Sequence, residues 1–396
     1  MKKGLLIILG ISVIAIGIYF FFFRNVNVNV ISEEEIGQKD FLQDKQAVVY
    51  LSSTADQDMD GKGISYAIFI DKNGKASGYK MDGLELGGIG VSDNKKELLL
   101  ESKDKLMIVG ENFTNFKTKY QHTGEYRTYL KKENLFVNIY NSGVNQKTGQ
   151  YDSNVVYGNV KGIQMGNIPH YLMSSGTDGE AVVVMTEDLD ENKREHSLQR
   201  LTFQDGKMTA QDVGKINFNT NMEYSSYSSI LSDTKYYYHI VNENDGTVGE
   251  KVYLLRMDKT TLTPELIPIF SSQDPVGGIP FTIKNAAHLY NNDLYFINGF
   301  GEVFVFHTET SSMTKKFKID YHVTDGVRYN EQIFFKDDQL YVLRYDEDRK
   351  NKYYIENYSL KDGKKVKETE VTGMDKIIKS VRGGKSVHAY DFKVFD

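Results

Sequence analysis

Residues 294 to 319, LYFINGFGEVFVFHTETSSMTKKFKI, narrow more than any other stretch what this chain can fold into. An apolar run at 294–297 meets a glycine turn at 298–301, and a second apolar run follows at 303–306. A Thr/Ser turn then leads into a lysine-studded third segment at 315–319. Apolar residues at consecutive positions mean strands covered on both faces, since a strand with one wet face would alternate. The third segment is charged as an edge strand is, because lysines there block pairing with other chains.

Used as a ruler, the middle of this unit recurs as SYAIFIDKNGK (65–75), SLQRLTFQDGK (197–207), KVYLLRMDKTT (251–261) and YIENYSLKDGK (354–364). Asn73-Gly74, Asp205-Gly206 and Asp362-Gly363 close the hairpins, because glycine tolerates positive φ. The preceding strand recurs near Ala47, Leu98, Leu135, Ala181, Tyr236, Leu294, Leu340 and Val387, at intervals of 37 to 58 residues. That spacing is the one propeller blades show, and stacked small sheets with polar outer edges describe the same architecture. Six units, from Leu98 through Leu340, are self-contained. A strand pair is left over at each end, 47–52 with 65–70 and 377–381 with 387–394. Joining the two pairs predicts an all-β, seven-bladed β-propeller over residues 45–396, closed by strands from both termini. Counting every anchor literally gives eight blades.

Ahead of the repeats, Gly4 to Phe23 is an uncharged apolar run of 20 residues. As a helix it would be about 30 Å long, the thickness of a bilayer core. The bulky residues at 19–23 do not suit a signal-peptidase cut. The reading is therefore one uncleaved transmembrane helix (residues 1–24) and a juxtamembrane linker (25–44). Lys2 and Lys3 precede the run, and Glu33, Glu34 and Glu35 follow it, which predicts a cytoplasmic N-terminus and an extracytoplasmic domain.

Composition excludes several function classes. There is no cysteine, which removes disulfides, thiolate nucleophiles and cysteine-ligated metals. Beyond residue 23 the acidic side chains outnumber the basic ones by about 8, against nucleic acid as a partner. The strand-and-turn pattern from Lys45 to Phe395 resembles the bacterial extracytoplasmic β-propellers. The chain has no tryptophan, so it lacks the Trp-Asp strand ends, aspartate-box tryptophan and Trp-docking motifs of the better-marked subfamilies. The resemblance therefore implies a fold and a location, and no site residues.

Asp56, Asp58 and Asp60, ahead of Gly61, place carboxylates at alternate positions as calcium loops do. The ninth and twelfth positions are Ile64 and Ala67, so the two readings are a weak calcium site and an acidic solvated hairpin; no other cofactor is expected. Ser65, in GISYA, resembles a nucleophile elbow, but it opens a strand with no helix after it. The histidines form no metal-binding pair, and His239, His307 and His388 read as structural residues of apolar strands. Arg256 and Arg344 are candidates to face the channel, with paired structural arginines as the alternative. Tyr224 and Tyr227 offer apolar area with polar tips, suited either to recognition or to packing on the next blade. Two functions follow from these readings. The first is a non-catalytic binding, scaffold or sensing module that meets an envelope protein or polymer. The second is an envelope glycan hydrolase or lyase with its site in the propeller funnel.

Overall fold

The computed structural model describes residues 29–93, 96–188, 195–216, 223–244, 249–274, 277–319, 331–381 and 384–395. The apolar run from Gly4 to Phe23 lies outside them. Among the described residues no helix is long and apolar enough to cross a membrane.

Seven antiparallel sheets form the fold. Blades two, three and four each contain four consecutive strands, beginning at Ile89–Val91, Thr123–Leu130 and Tyr171–Thr177. Blades six and seven do the same from Ala287–Tyr290 and Gln332–Lys336. In blade five the innermost position is split between Glu223–Ser226 and Leu231–Ser232, both paired with Tyr236–Asn244. Blade one is composite: its innermost strand is His388–Val394, from the C-terminus, and Lys45–Ser52, Ile64–Asp71 and Ala76–Asp82 follow outward.

Closure thus uses one C-terminal strand and three N-terminal ones, not two and two. Residues 377–381, expected as a strand, belong to the helix Met374–Lys379 and the turn after it. Met374 and Ile377 are buried one helical turn apart, and Ile377 packs where Gly78 leaves room on the outer strand. The anchor count is explained by the same topology. Seven anchors mark second strands, and the eighth, Val387, leads into the closing strand. Residues 30–44, expected as linker, also pack on the ring. Val30–Ile31 runs parallel to Ala76–Asp82, and the helix Glu33–Ile36, started by a Ser32/Glu35 capping box, buries Ile36 completely.

Both faces of each inner strand are covered because each blade packs on two neighbours. In Ile64–Asp71, Ile68 and Ile70 join Leu343, Ile355 and Val371 of blade seven. Ala67 and Phe69, pointing the other way, join Leu98, Leu100 and Met107 of blade two. At Gly74, φ is +79° and the glutamate carbonyl of residue 370 sits where a Cβ would be, so only glycine lets blade one meet blade seven there.

Candidate functional site

Antiparallel strands put two kinds of connection on one face: those between second and third strands, and those leading to the next blade. This face carries the 53–63 hairpin, Glu85, Tyr120, His122, and the segment from 372 to 387. Most large apolar side chains are hidden; of the exposed ones, Met59 (88%), Val144 (65%), Tyr120 (49%) and Leu86 (43%) lie on this face, and Val30, Met165 and Val366 lie on outer strands.

At the axis the same end is closed by charge. Glu101, ending the second strand of blade two, is fully buried and paired with Arg127 of blade three. The Gly88 N–H also donates to it at 2.8 Å. Burial raises its carboxyl pKa, and Arg127 opposes that shift. Glu125, two residues before Arg127, pairs at 2.6 Å with Lys284, which lies ahead of blade six. Asp391, on the closing strand, accepts from Ile89 N–H (2.9 Å) and Asn285 Nδ2 (3.0 Å) and lies 3.1 Å from Lys393 Nζ. Each carboxylate ties together elements far apart in sequence, and each has a cation or amide donor.

Two of the cavities among the described residues border this face near the closing blade. One of about 510 Å³ lies between blade seven and the closing blade, lined in part by Tyr345, Lys352, Ile378 and Val387. The other, of about 250 Å³, is bounded by Asp58, Met59, Glu85, Tyr120 and His122.

The family model of the YycP β-propeller domain matches residues 40–395. The chain belongs to the YycP β-propeller family. The uncharacterised protein YycP of Bacillus subtilis (strain 168) is 29% identical over 378 residues, spanning 94% of each chain. Among solved structures, the β-propeller domain of the Trilobed protease from Pyrococcus furiosus is 12% identical. Its TM-score is 0.48, over 83% of this chain and 95% of that one. Apo AztD from Citrobacter koseri is 10% identical with a TM-score of 0.45, over 87% and 98%.

In this family propeller the aspartates of the 53–63 hairpin do not converge. Asp58 pairs with the buried Lys103, Asp60 with Lys385 at 2.9 Å, and Asp56 is exposed. Among the described residues, no group of three or more His, Asp or Glu is placed to hold a metal. Tyr224 and Tyr227 are 8% and 5% exposed and sit in the cores between blades four and five and blades five and six. The Tyr227 hydroxyl donates to Glu250 at 2.6 Å, so these rings present packing area rather than an open recognition surface. Ser65 is fully buried, and its Oγ donates to Ser52 Oγ (2.8 Å) and accepts from Leu84 N–H (3.0 Å). Arg256 and Arg344 are both held in ion pairs. Arg256, on a third strand, pairs with Glu265 (2.6 Å), and Arg344, on a second strand, with Glu356 (2.8 Å). Sequence reasoning missed Glu101, Glu125, Arg127, Lys284 and Asp391. For Glu101 the local signal is a charge that ends an apolar strand, LLLE at 98–101.

His239 is buried, with Nδ1 3.4 Å from Ser228 Oγ, and His307 pairs with Asp293 at 2.6 Å, whereas His388 is exposed. Burial first, and Lys284 second, push the His239 pKa down to about 3. Its folded value lies below the unfolded one of about 6.5, so the fold loses stability as pH falls through that window. The loss is at most about 5 kcal/mol, complete only below the folded value. A His239→Gln variant should therefore lose less stability than the wild type between neutral pH and pH ~4 in urea titrations. Parallel curves would show that His239 does not carry the acid response.

Proposed function

We propose that this chain is a membrane-anchored, extracytoplasmic propeller that serves as a non-catalytic binding, scaffold or sensing module at the cell envelope. The observation that carries the reading is the commitment of the carboxylates near the channel mouth: Glu101 and Glu125 are held in ion pairs between blades, and Asp391 is held by Lys393 of its own strand and by hydrogen bonds from Ile89 N–H and Asn285. A general acid or base needs a pKa near its working pH and access to substrate. Here the carboxylates act as struts, while exposed Met59, Tyr120 and Leu86 supply the apolar area that recognition uses. The uncharged run from Gly4 to Phe23, with lysines before it, supports one anchor that holds this face outside the membrane.

Two measurements test the proposal. Protease added to intact cells should digest the propeller, and the mature chain should keep its first residues; an N-terminus after Phe23 would remove the anchor. Cross-linking on cells should capture an envelope protein or polymer through the face that carries Met59 and Tyr120. Turnover of an envelope glycan by the purified chain, abolished by Glu101→Gln or Asp391→Asn, would instead make it an enzyme.

A further inference from the structure

The smaller cavity, of about 250 Å³ beside the 53–63 hairpin, has a lining that selects the charge of its occupant. Among the described residues no lysine or arginine lines it, whereas two carboxylates do, Asp58 and Glu85. They differ in commitment. Asp58 is held on both oxygens: Oδ2 pairs with the buried Lys103 and accepts the Tyr120 hydroxyl at 3.4 Å, and Oδ1 accepts the Gly63 N–H. Glu85 is half-buried, and its side chain has no ion pair or hydrogen bond among the described residues. Its backbone carbonyl accepts the Gly124 N–H at 2.9 Å, which fixes the segment that presents the carboxylate to blade three. Ser53 and Thr54 add hydroxyl oxygens that already take backbone N–H groups of the hairpin. One wall is aromatic, where Tyr120 and His122 meet edge to face with ring centroids 4.9 Å apart. The ammonium of Lys103 lies 5.0 Å from the Tyr120 centroid, and Asp58 neutralises it. Met59 stands exposed at the rim, as does Leu86, next to Glu85 in the chain. The pocket therefore joins an aromatic wall and an apolar rim to one uncompensated negative charge.

We propose that this pocket docks one arginine from a basic segment of a partner protein, its guanidinium on Glu85 and against the Tyr120 ring, with flanking apolar side chains of that segment on Met59 and Leu86. The assignment rests on reading this face as a recognition surface. Charge selects a cation, and a carboxylate beside aromatic rings is less screened by water than one at an open surface. The rings select arginine over lysine, since a guanidinium lies flat on an aromatic face and offers a carboxylate two parallel donors, whereas an ammonium is a strongly hydrated point charge. The volume is below the roughly 300–1,000 Å³ of sites that enclose a whole small ligand, so it admits one side chain and not a length of sugar chain. The surplus of about 8 acidic groups beyond residue 23 favours encounter with a basic partner.

The test is fluorescence anisotropy on the full chain in nonionic detergent micelles, with fluorescein-Gly-Leu-Arg-Leu-Gly-amide as probe. Saturable binding is expected, weakened about tenfold or more by Glu85→Gln. Because the Glu85 side chain holds no partner among the described residues, that variant should keep the wild-type Tm, so the loss reports a missing contact with the probe. Glu309→Gln, the same change in the turn at 308–311 on the opposite face, should bind as the wild type does. A probe with citrulline in place of arginine, neutral but of the same shape, should also bind about tenfold or more weakly. No saturable binding up to about 1 mM, equal binding by Glu85→Gln or equal binding of the citrulline probe would overturn the proposal. So would spermidine that displaces the probe as well as the unlabelled peptide does. Each of these failures leaves the recognition reading standing if cross-linking still captures a partner through Met59 and Tyr120, whereas glycan turnover would end that reading whatever the peptide does.

Discussion

Removing residues 387 to 396 is expected to abolish cooperative folding of the propeller. The closing strand pairs with Lys45–Ser52 from Ala47–Val394 to Ser52–His388. Phe392 is fully buried, and Val387, Val394 and Phe395 are nearly so. At about 1.5–3 kcal/mol for each buried side chain, these four contribute on the order of 6–12 kcal/mol. Whole domains are stable by only about 5–15 kcal/mol. The deletion also bares the apolar Lys45–Ser52 strand as a new edge and takes Asp391 out of the axial network, so aggregation should follow. Calorimetry should find no cooperative transition in the truncated chain. A transition at the full-length Tm would show that the ring does not depend on its C-terminal strand.

Replacing Arg127 by methionine should cost about 3–5 kcal/mol at neutral pH, because Glu101 would be left as a buried, uncompensated charge. The pH dependence distinguishes this from simple loss of packing. Burial raises the folded-state pKa of Glu101 above its unfolded value, so ionising it opposes folding. That penalty is absent below the unfolded pKa and complete above the folded one. In the wild type Arg127 offsets part of it; in the variant only the hydrogen bonds from Tyr140 and the Gly88 N–H remain. The gap between the two proteins should therefore be widest at neutral pH and narrow as pH falls through the raised Glu101 value. A Glu101→Gln/Arg127→Met double variant should regain much of the loss. Urea titrations across pH check both points, and a gap constant with pH would mean that Arg127 acts through packing alone.

How much of this was legible beforehand depended on the range of the interaction. The blade at 294–319 was readable because its signals are local: apolar runs, a glycine turn at 298–301 and lysines on the edge. Its innermost strand, Ala287–Tyr290, is short and only half-buried, so no run of hydrophobicity marked it. The helix Met374–Lys379 was misread because a six-residue apolar pattern fits strand and helix alike until a neighbour selects one. Asp56, Asp58 and Asp60 look like one site in sequence. They are parted by lysines at positions 103 and 385, which no local pattern could announce.

The sequence by itself determined that the chain is a ring of small, doubly covered sheets, since apolar periodicity and turn residues act within a few positions and repeat along the chain. Only the tertiary structure decided how that ring closes and what lies at its axis. Whether one or two C-terminal strands complete blade one depends on the room beside Gly78 and Lys45–Ser52. The pairing of Glu125 with Lys284, 159 residues away, arises because ring closure turns first strands toward one axis, where charges from distant blades must neutralise each other or stay unpaired away from water.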